Sequence, residues 1–338
     1  MAADPSQDDP ALLAQVREAA ARLTTEIGKV IIGQDAIVRQ LLTALFCEGH
    51  VLIVGVPGLA KTLLVKTLAD VLGWRFKRIQ FTPDMMPSDI MGTELIDEDR
   101  TTGRRELRFV RGPVFANIVL ADEINRAPPK TQAALLEAMQ EYHVTAAGVS
   151  HALERPFIVV ATQNPIEQEG TYPLPEAQLD RFLFSLWIDY PEEAEEERIA
   201  GAIPPAVPAA THTAIPREQI VACQQLVRRV PASTHVVKYA AALARASRPR
   251  DGADPYVRKY VEWGAGPRAS QYLVLGAKAC AAMDGRPAPS VRDVRDVAMA
   301  VLRHRIIPSY AAAGDGVTAA DITRTLLARV PEPRYDSP

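Results

Sequence analysis

Cysteine is scarce in this 338-residue chain, limited to Cys47, Cys223 and Cys280. They are too few and too far apart for a disulfide framework or a zinc site, and each sits in an apolar helical context that reads as a small buried hydrophobe. Aromatic residues are also few, at 6%, which argues against a channel that stacks the bases of a single strand. Neither sign of charge dominates: 38 Lys and Arg face 41 Asp and Glu, a formal net charge of −3. Nothing global therefore attracts the chain to nucleic acid or to an anionic membrane. No apolar run approaches the roughly 20 residues of a membrane span. The N-terminal MAADPSQDDPALL is acidic and lacks the basic-then-apolar order of a signal peptide. The expectation is a cytoplasmic protein with no membrane span and no nucleic-acid partner.

What is present is the composition of a folded protein, with 48% apolar and 23% charged residues. The length suits two domains, since single cores stop growing at roughly 250 to 300 residues. Residues 1–10 read as a solvated tail. Residues 11–190 alternate helical periodicity with short apolar runs. Val51 to Val54, Ile118 to Ala121, Phe157 to Ala161 and Phe182 to Ile188 read as strands, most of them buried on both faces. Strands alternating with helices predict an α/β fold, a parallel sheet covered on both faces. Two inserts, 93–111 and 143–153, carry turn signals and read either as hairpins or as surface loops. The stretch 191–216, with GAIPPAVPAATHTAIP at its end, reads as an extended linker. Residues 217–332 are helical throughout and predict an all-α lid, followed by a tail over 333–338.

The chemistry concentrates after the first apolar run. Gly55, Val56, Pro57, Gly58, Leu59, Ala60, Lys61 and Thr62 follow a predicted strand and open a predicted helix, the context of a phosphate-binding loop, with Leu63 next in that helix. Loop N–H groups and the helix N-terminus suit anionic oxygens, Lys61 adds charge, and Thr62 can ligate Mg²⁺. Ala60 departs from the usual Gly; a residue entering a helix is expected to do without left-handed conformations. Downstream, a buried strand ends in Asp122 and Glu123. Asp122 suits the magnesium and Glu123 the attacking water, although an acidic pair at a helix start also reads as a cap. Asn164, in ATQNP, falls where parallel sheets meet ligands, and Asn-Pro equally signals a turn.

Two arginines complete the candidate set. Arg181 ends a short helix before the last strand and by itself reads as a helix-end cation or an ion-pair partner. Arg268 follows Pro267 in the first turn of a helix, where the dipole disfavours positive charge, so an anion is expected to offset it, and nucleotide phosphate is available.

The ordered motifs GVPGLAKT, LADEINRAP, ATQNP, EAQLDRF and GPR resemble the AAA+ superfamily, and their wording, Ala60 included, resembles the MoxR family. The likeness runs from about Ile31 to the C-terminus. It implies a P-loop ATPase core with a helical lid, ATP and Mg²⁺ at subunit interfaces, and a homo-oligomeric, usually hexameric, ring. By resemblance Lys61 and Thr62 form Walker A, Asp122 and Glu123 Walker B, and Asn164 sensor 1. Arg181 is the finger acting on a neighbour, and Arg268 is sensor 2, in cis or in trans. Gly33 and Gln34 match the adenine cradle, and the two inserts match elements that face the central channel.

Such proteins remodel, activate or load metal into other complexes, typically with a partner carrying a von Willebrand factor A domain. A chelatase-type ATPase subunit shares nearly every motif and stays open. A nucleic-acid motor fits less well, because Arg100, Arg104, Arg105, Arg108 and Arg111 in the first insert are cancelled by Glu94, Asp97, Glu98, Asp99 and Glu106. A transcription activator is disfavoured, because the first insert contains no GAFTGA-like loop.

Overall fold

The computed structural model describes residues 9–98, 105–146, 148–167, 170–201 and 215–333. Its centre is a five-stranded sheet: β1 (Val51–Val54), β2 (Phe76–Gln80), β3 (Ile118–Asp122), β4 (Ile158–Gln163) and β5 (Phe184–Trp187). The spatial order is β2-β3-β4-β1-β5, with every pairing parallel. Strands β1 and β3 are buried at every position, as a sheet covered on both faces demands.

Side chains alternate between the two faces. Ile53, Leu120 and Val160 point to the helices Asp9–Gly28, Asp35–Phe46 and Lys61–Leu72, whereas Leu52, Val119 and Val159 point to the helix Pro129–Glu141. The first of these cores runs without a break into the lid helices Arg217–Arg229, Thr234–Ala246, Pro267–Met283 and Val291–Leu302. At that junction Gln224 Nε2 donates to Leu45 O at 2.8 Å. Gly276 lets the long lid helix close on β5, since a Cβ there would lie 3.3 Å from both Phe184 and Val297. Core and lid are thus packed against each other, and the lid is not tethered through the 191–216 stretch alone.

The inserts are antiparallel ribbons: Gly92–Glu98 pairs with Arg105–Arg111, and His143–Ala146 with Val149–Ala152. Several details depart from the sequence reading. The N-terminal helix already begins at Asp9, within the expected tail. Glu193–Gly201 is helical and not extended; residues 202–214 of the expected linker lie outside the described residues, as do the 334–338 part of the C-terminal tail and residues 1–8. The helical region also holds a small ribbon, Val261–Trp263 with Ile307–Pro308. Strand β2 was not foreseen at all.

His50 pins the start of β1. Its Nε2–H donates to Met139 O at 2.9 Å while Nδ1 accepts from Val159 N at 3.0 Å, which sets the tautomer. Burial pushes its pKa down to about 4, against a weaker upward pull from the Met139 carbonyl. The fold therefore favours neutral His50; the resulting stability is complete above pH about 6.5 and is lost as the pH falls toward 4. Between those limits the group contributes about 3 kcal/mol of acid destabilisation. Denaturant melts across this window are expected to show a shallower acid loss for His50→Gln than for wild type.

Candidate nucleotide site

Beyond Val54 the chain turns through Gly55 to Ala60 and enters the helix Lys61–Leu72. Gly55 passes so near the exit of β5 that a Cβ would lie 2.7 Å from Ile188 O, and Gly58 has φ +87°. Only glycine meets the first demand, and the second disfavours any Cβ. Ala60 is itself left-handed, with φ 56° and ψ 19°. This corrects the expectation that its helix-entry position avoids that region: the alanine is tolerated at a cost of about 1 kcal/mol. Val56 is half-buried, Pro57 exposed, Leu59 buried, Thr62 half-buried and Leu63 exposed. The first N–H groups of the helix have no intrahelical partners and constitute an anion-binding end. Lys61 Nζ donates back to Gly55 O. Desolvation lowers the pKa of this amine, while Asp122 and Glu123 pull it upward.

The carboxylates lie at the same edge of the sheet. Asp122, 8% exposed, accepts on Oδ2 from Arg78 Nε at 3.0 Å and Nη2 at 2.8 Å, and on Oδ1 from the Thr162 hydroxyl at 2.5 Å. The Thr162 oxygen also accepts the Glu123 N–H at 2.9 Å. Glu123 is left-handed at φ 56°, and its Oε2 lies 3.3 Å from Arg126 Nη1. Asn164 is buried just past β4 and its Oδ1 accepts from Ile166 N at 3.1 Å. The turn that Asn-Pro signals is therefore formed. Asn164 also lines a cleft of about 930 Å³ that runs between this sheet edge and the lid helices Val291–Leu302 and Ala319–Arg329.

Gly33 and Gln34 adjoin the loop. A Cβ on Gly33 would fall 2.5 Å from the Glu195 carboxylate. Gln34 Nε2 donates to Leu59 O at 3.4 Å, and its buried Oε1 has no partner among the described residues. A buried acceptor left unsatisfied needs explanation, and the exocyclic amine of adenine is a donor of the right chemistry. Loop, lysine, carboxylates and orphaned acceptor together fit a magnesium nucleotide.

Arg181 and Arg268 are not part of this cluster. Both line a separate cleft of about 430 Å³ formed by residues 47–50 before β1, the end of the helix Pro129–Glu141, and Tyr272 of the lid. That is the opposite edge of the sheet, a strand length of about 13 Å from the phosphate loop. The Arg181 guanidinium has no partner among the described residues. Arg268 does have one: Asp180 Oδ2 lies 3.4 Å from its Nη1. Within the chain, the anion beside this unfavourably placed cation is a resident carboxylate.

Comparison with known proteins agrees with this geometry. The model of the ATPase family associated with various cellular activities (AAA) matches residues 50–184, and an AAA lid domain matches 254–326. The chain is 42% identical to the chaperone MoxR1 of Mycobacterium tuberculosis, over 94% of this chain and 83% of that one. It belongs to the MoxR family of AAA+ ATPases. It is also 40% identical to YeaC of Bacillus subtilis, over 91% and 92% of the two chains. A crystal structure of a protein assigned as an ATPase, from Cytophaga hutchinsonii, superposes with a TM-score of 0.87 at 38% identity, covering 96% and 98%.

Sequence reasoning missed three groups in this MoxR-family site. Arg78 lies on the unforeseen strand β2, and no motif marks it. Thr162 sits inside ATQNP and Arg126 inside LADEINRAP, yet only the fold shows that they touch Asp122 and Glu123. The Thr162 hydroxyl bridges Asp122 and Glu123 in a buried position, so Thr162→Val keeps the shape and orphans two groups. A stability loss of about 1–3 kcal/mol is expected in denaturant melts, with a fall in ATP turnover larger than the change in nucleotide affinity.

Proposed function

We propose that this chain hydrolyses ATP in a ring of identical subunits, in the cytoplasm, as a chaperone-like factor that remodels or activates other protein complexes together with a von Willebrand factor A domain partner. Residues 11–190 form the ATPase core in this reading and 217–332 the lid. The observation that carries it is the division of the site: cradle and carboxylates at one edge of the sheet, and Arg181, without a side-chain partner among the described residues, beside a second arginine at the other. One subunit cannot bring both halves to one phosphate. A neighbour in a closed ring can, and a hexamer is the assembly proposed.

Within that arrangement the loop amides and Lys61 bind and orient the phosphates. Thr62 and Asp122 would hold Mg²⁺, which supplies charge neutralisation at the phosphoryl group. Arg78 and Thr162 keep the Asp122 carboxylate aimed. Glu123 takes the proton of the attacking water; its pairing with Arg126 is half exposed, worth at most about 1 kcal/mol, and so is readily exchanged for substrate. Asn164 orients the same water. Arg181 and Arg268 of the adjoining subunit stabilise the charge that develops on the transferred phosphoryl oxygens. That Arg268 shares a cleft with Arg181 favours its acting in trans. The first ribbon exposes Leu95, Ile96, Leu107 and Val110, an apolar surface suited to a protein client and not to a nucleic-acid backbone.

Lys61→Ala is expected to abolish magnesium-dependent ATP binding in calorimetry. Glu123→Gln should bind ATP with near-native affinity and lose about 10²-fold or more in turnover; turnover equal to wild type would reject the role of Glu123. Affinity capture with Glu123→Gln in ATP is expected to retain a client and a partner of the proposed kind.

A further inference from the structure

Arg305 carries its guanidinium into the interior, with a side chain only 2% exposed. Nε donates to Asp180 Oδ1 at 2.7 Å. Nη2 donates to Asp180 O at 2.9 Å and Phe182 O at 2.6 Å, and Nη1 to Leu183 O at 3.4 Å and Val301 O at 2.5 Å. These contacts employ every N–H that a guanidinium owns. Burial pulls the pKa of the group down and Asp180 pulls it back up, so the charge is kept only because the pairing is complete.

Four of those five acceptors belong to Asp180, Phe182 and Leu183, the residues on either side of Arg181. The neighbouring His304 adds a contact between its Nε2 and Phe182 O at 3.2 Å. Asp180 spends its other carboxylate oxygen on Arg268. The lid thus grips the backbone on both sides of residue 181 while leaving the Arg181 side chain without a partner among the described residues. Stability alone does not call for this arrangement, since a buried ion pair is commonly no better than apolar packing.

We infer that Arg305 is a positioning residue that holds Arg181 in register for work on the adjoining subunit's nucleotide. The inference rests on the trans-acting finger proposed above. Misplacement of a reacting group by about 1 Å costs on the order of 10² in rate, and a finger as a whole is worth about 10³ to 10⁵.

The test uses full-length protein with Arg305→Met, Arg305→Lys, Arg181→Ala and Lys61→Ala. Arg305→Met should lose about 10²-fold in kcat while its affinity for Mg·ATP stays within about two-fold of wild type. Arg305→Lys keeps the charge with fewer donors and should fall between the two, so the question stays answerable even where the methionine variant folds poorly. Added to Arg181→Ala, either Arg305 substitution should cost nothing further. Co-assembly with excess Lys61→Ala subunits, which bring intact fingers, should restore turnover to Arg305→Met as it does to Arg181→Ala. Unchanged kcat for both Arg305 variants, an undiminished further loss in the Arg181→Ala background, or recovery by Arg181→Ala without recovery by the Arg305 variants overturns the proposal alone. Wild-type turnover by Arg181→Ala overturns the trans-finger reading, and this proposal with it.

Discussion

Parallel strand pairing governs this molecule because it gives the sheet two chemically different edges. β1 has its neighbours β4 and β5 running the same way, so every strand delivers its C-terminal residue to one edge and receives the chain at the other. Gly55 and Asn164 follow strand ends, Asp122 closes one, and all three gather at the first edge. Arg181 precedes a strand start and is carried to the second. No rotamer change spans the intervening strand length of about 13 Å. In the proposed reading, a single chain of this topology holds two half-sites.

The half-sites are held by different means. At the edge with the loop the backbone is strained: Ala60 and Glu123 are both left-handed, and the buried Thr162 hydroxyl ties Asp122 and Glu123 together. Strain and buried polar contacts of this kind persist only when surrounding packing over-determines them, and the completely buried β1 and β3 provide that packing. At the arginine edge the support comes from the lid. Asp180 stands between Arg305 and Arg268, so the segment that carries Arg181 and the lid helix Pro267–Met283 share one carboxylate. The continuous core between lid and sheet makes this a rigid connection.

Much of this was legible in the sequence. Buried strands declare themselves as unbroken apolar runs, and the loop glycines, the Asp122–Glu123 pair and Asn164 fell where those runs ended. β2 was illegible because it is a sheet edge: of Phe76 to Gln80 only Ile79 is buried, too little periodicity to read, and Arg78 was missed with it. Ala60 was misjudged because helix entry says nothing of the backbone angle that the loop imposes. Asp180 beside Arg268 was not foreseen because it is 88 positions away in the chain, and Arg305 stayed unnoticed because four of its five acceptors lie more than a hundred positions upstream. Patterns within a window report local structure. Pairings across the core–lid boundary need the fold.

The central claim is that catalysis needs the opposite edges of two subunits. It is tested most directly by measuring turnover per subunit and ATP affinity together across a dilution series that crosses the assembly threshold, with sedimentation recording the oligomer. Affinity is expected to change little while turnover per subunit collapses as the ring dissociates. Turnover that is independent of concentration down to the monomer would contradict it.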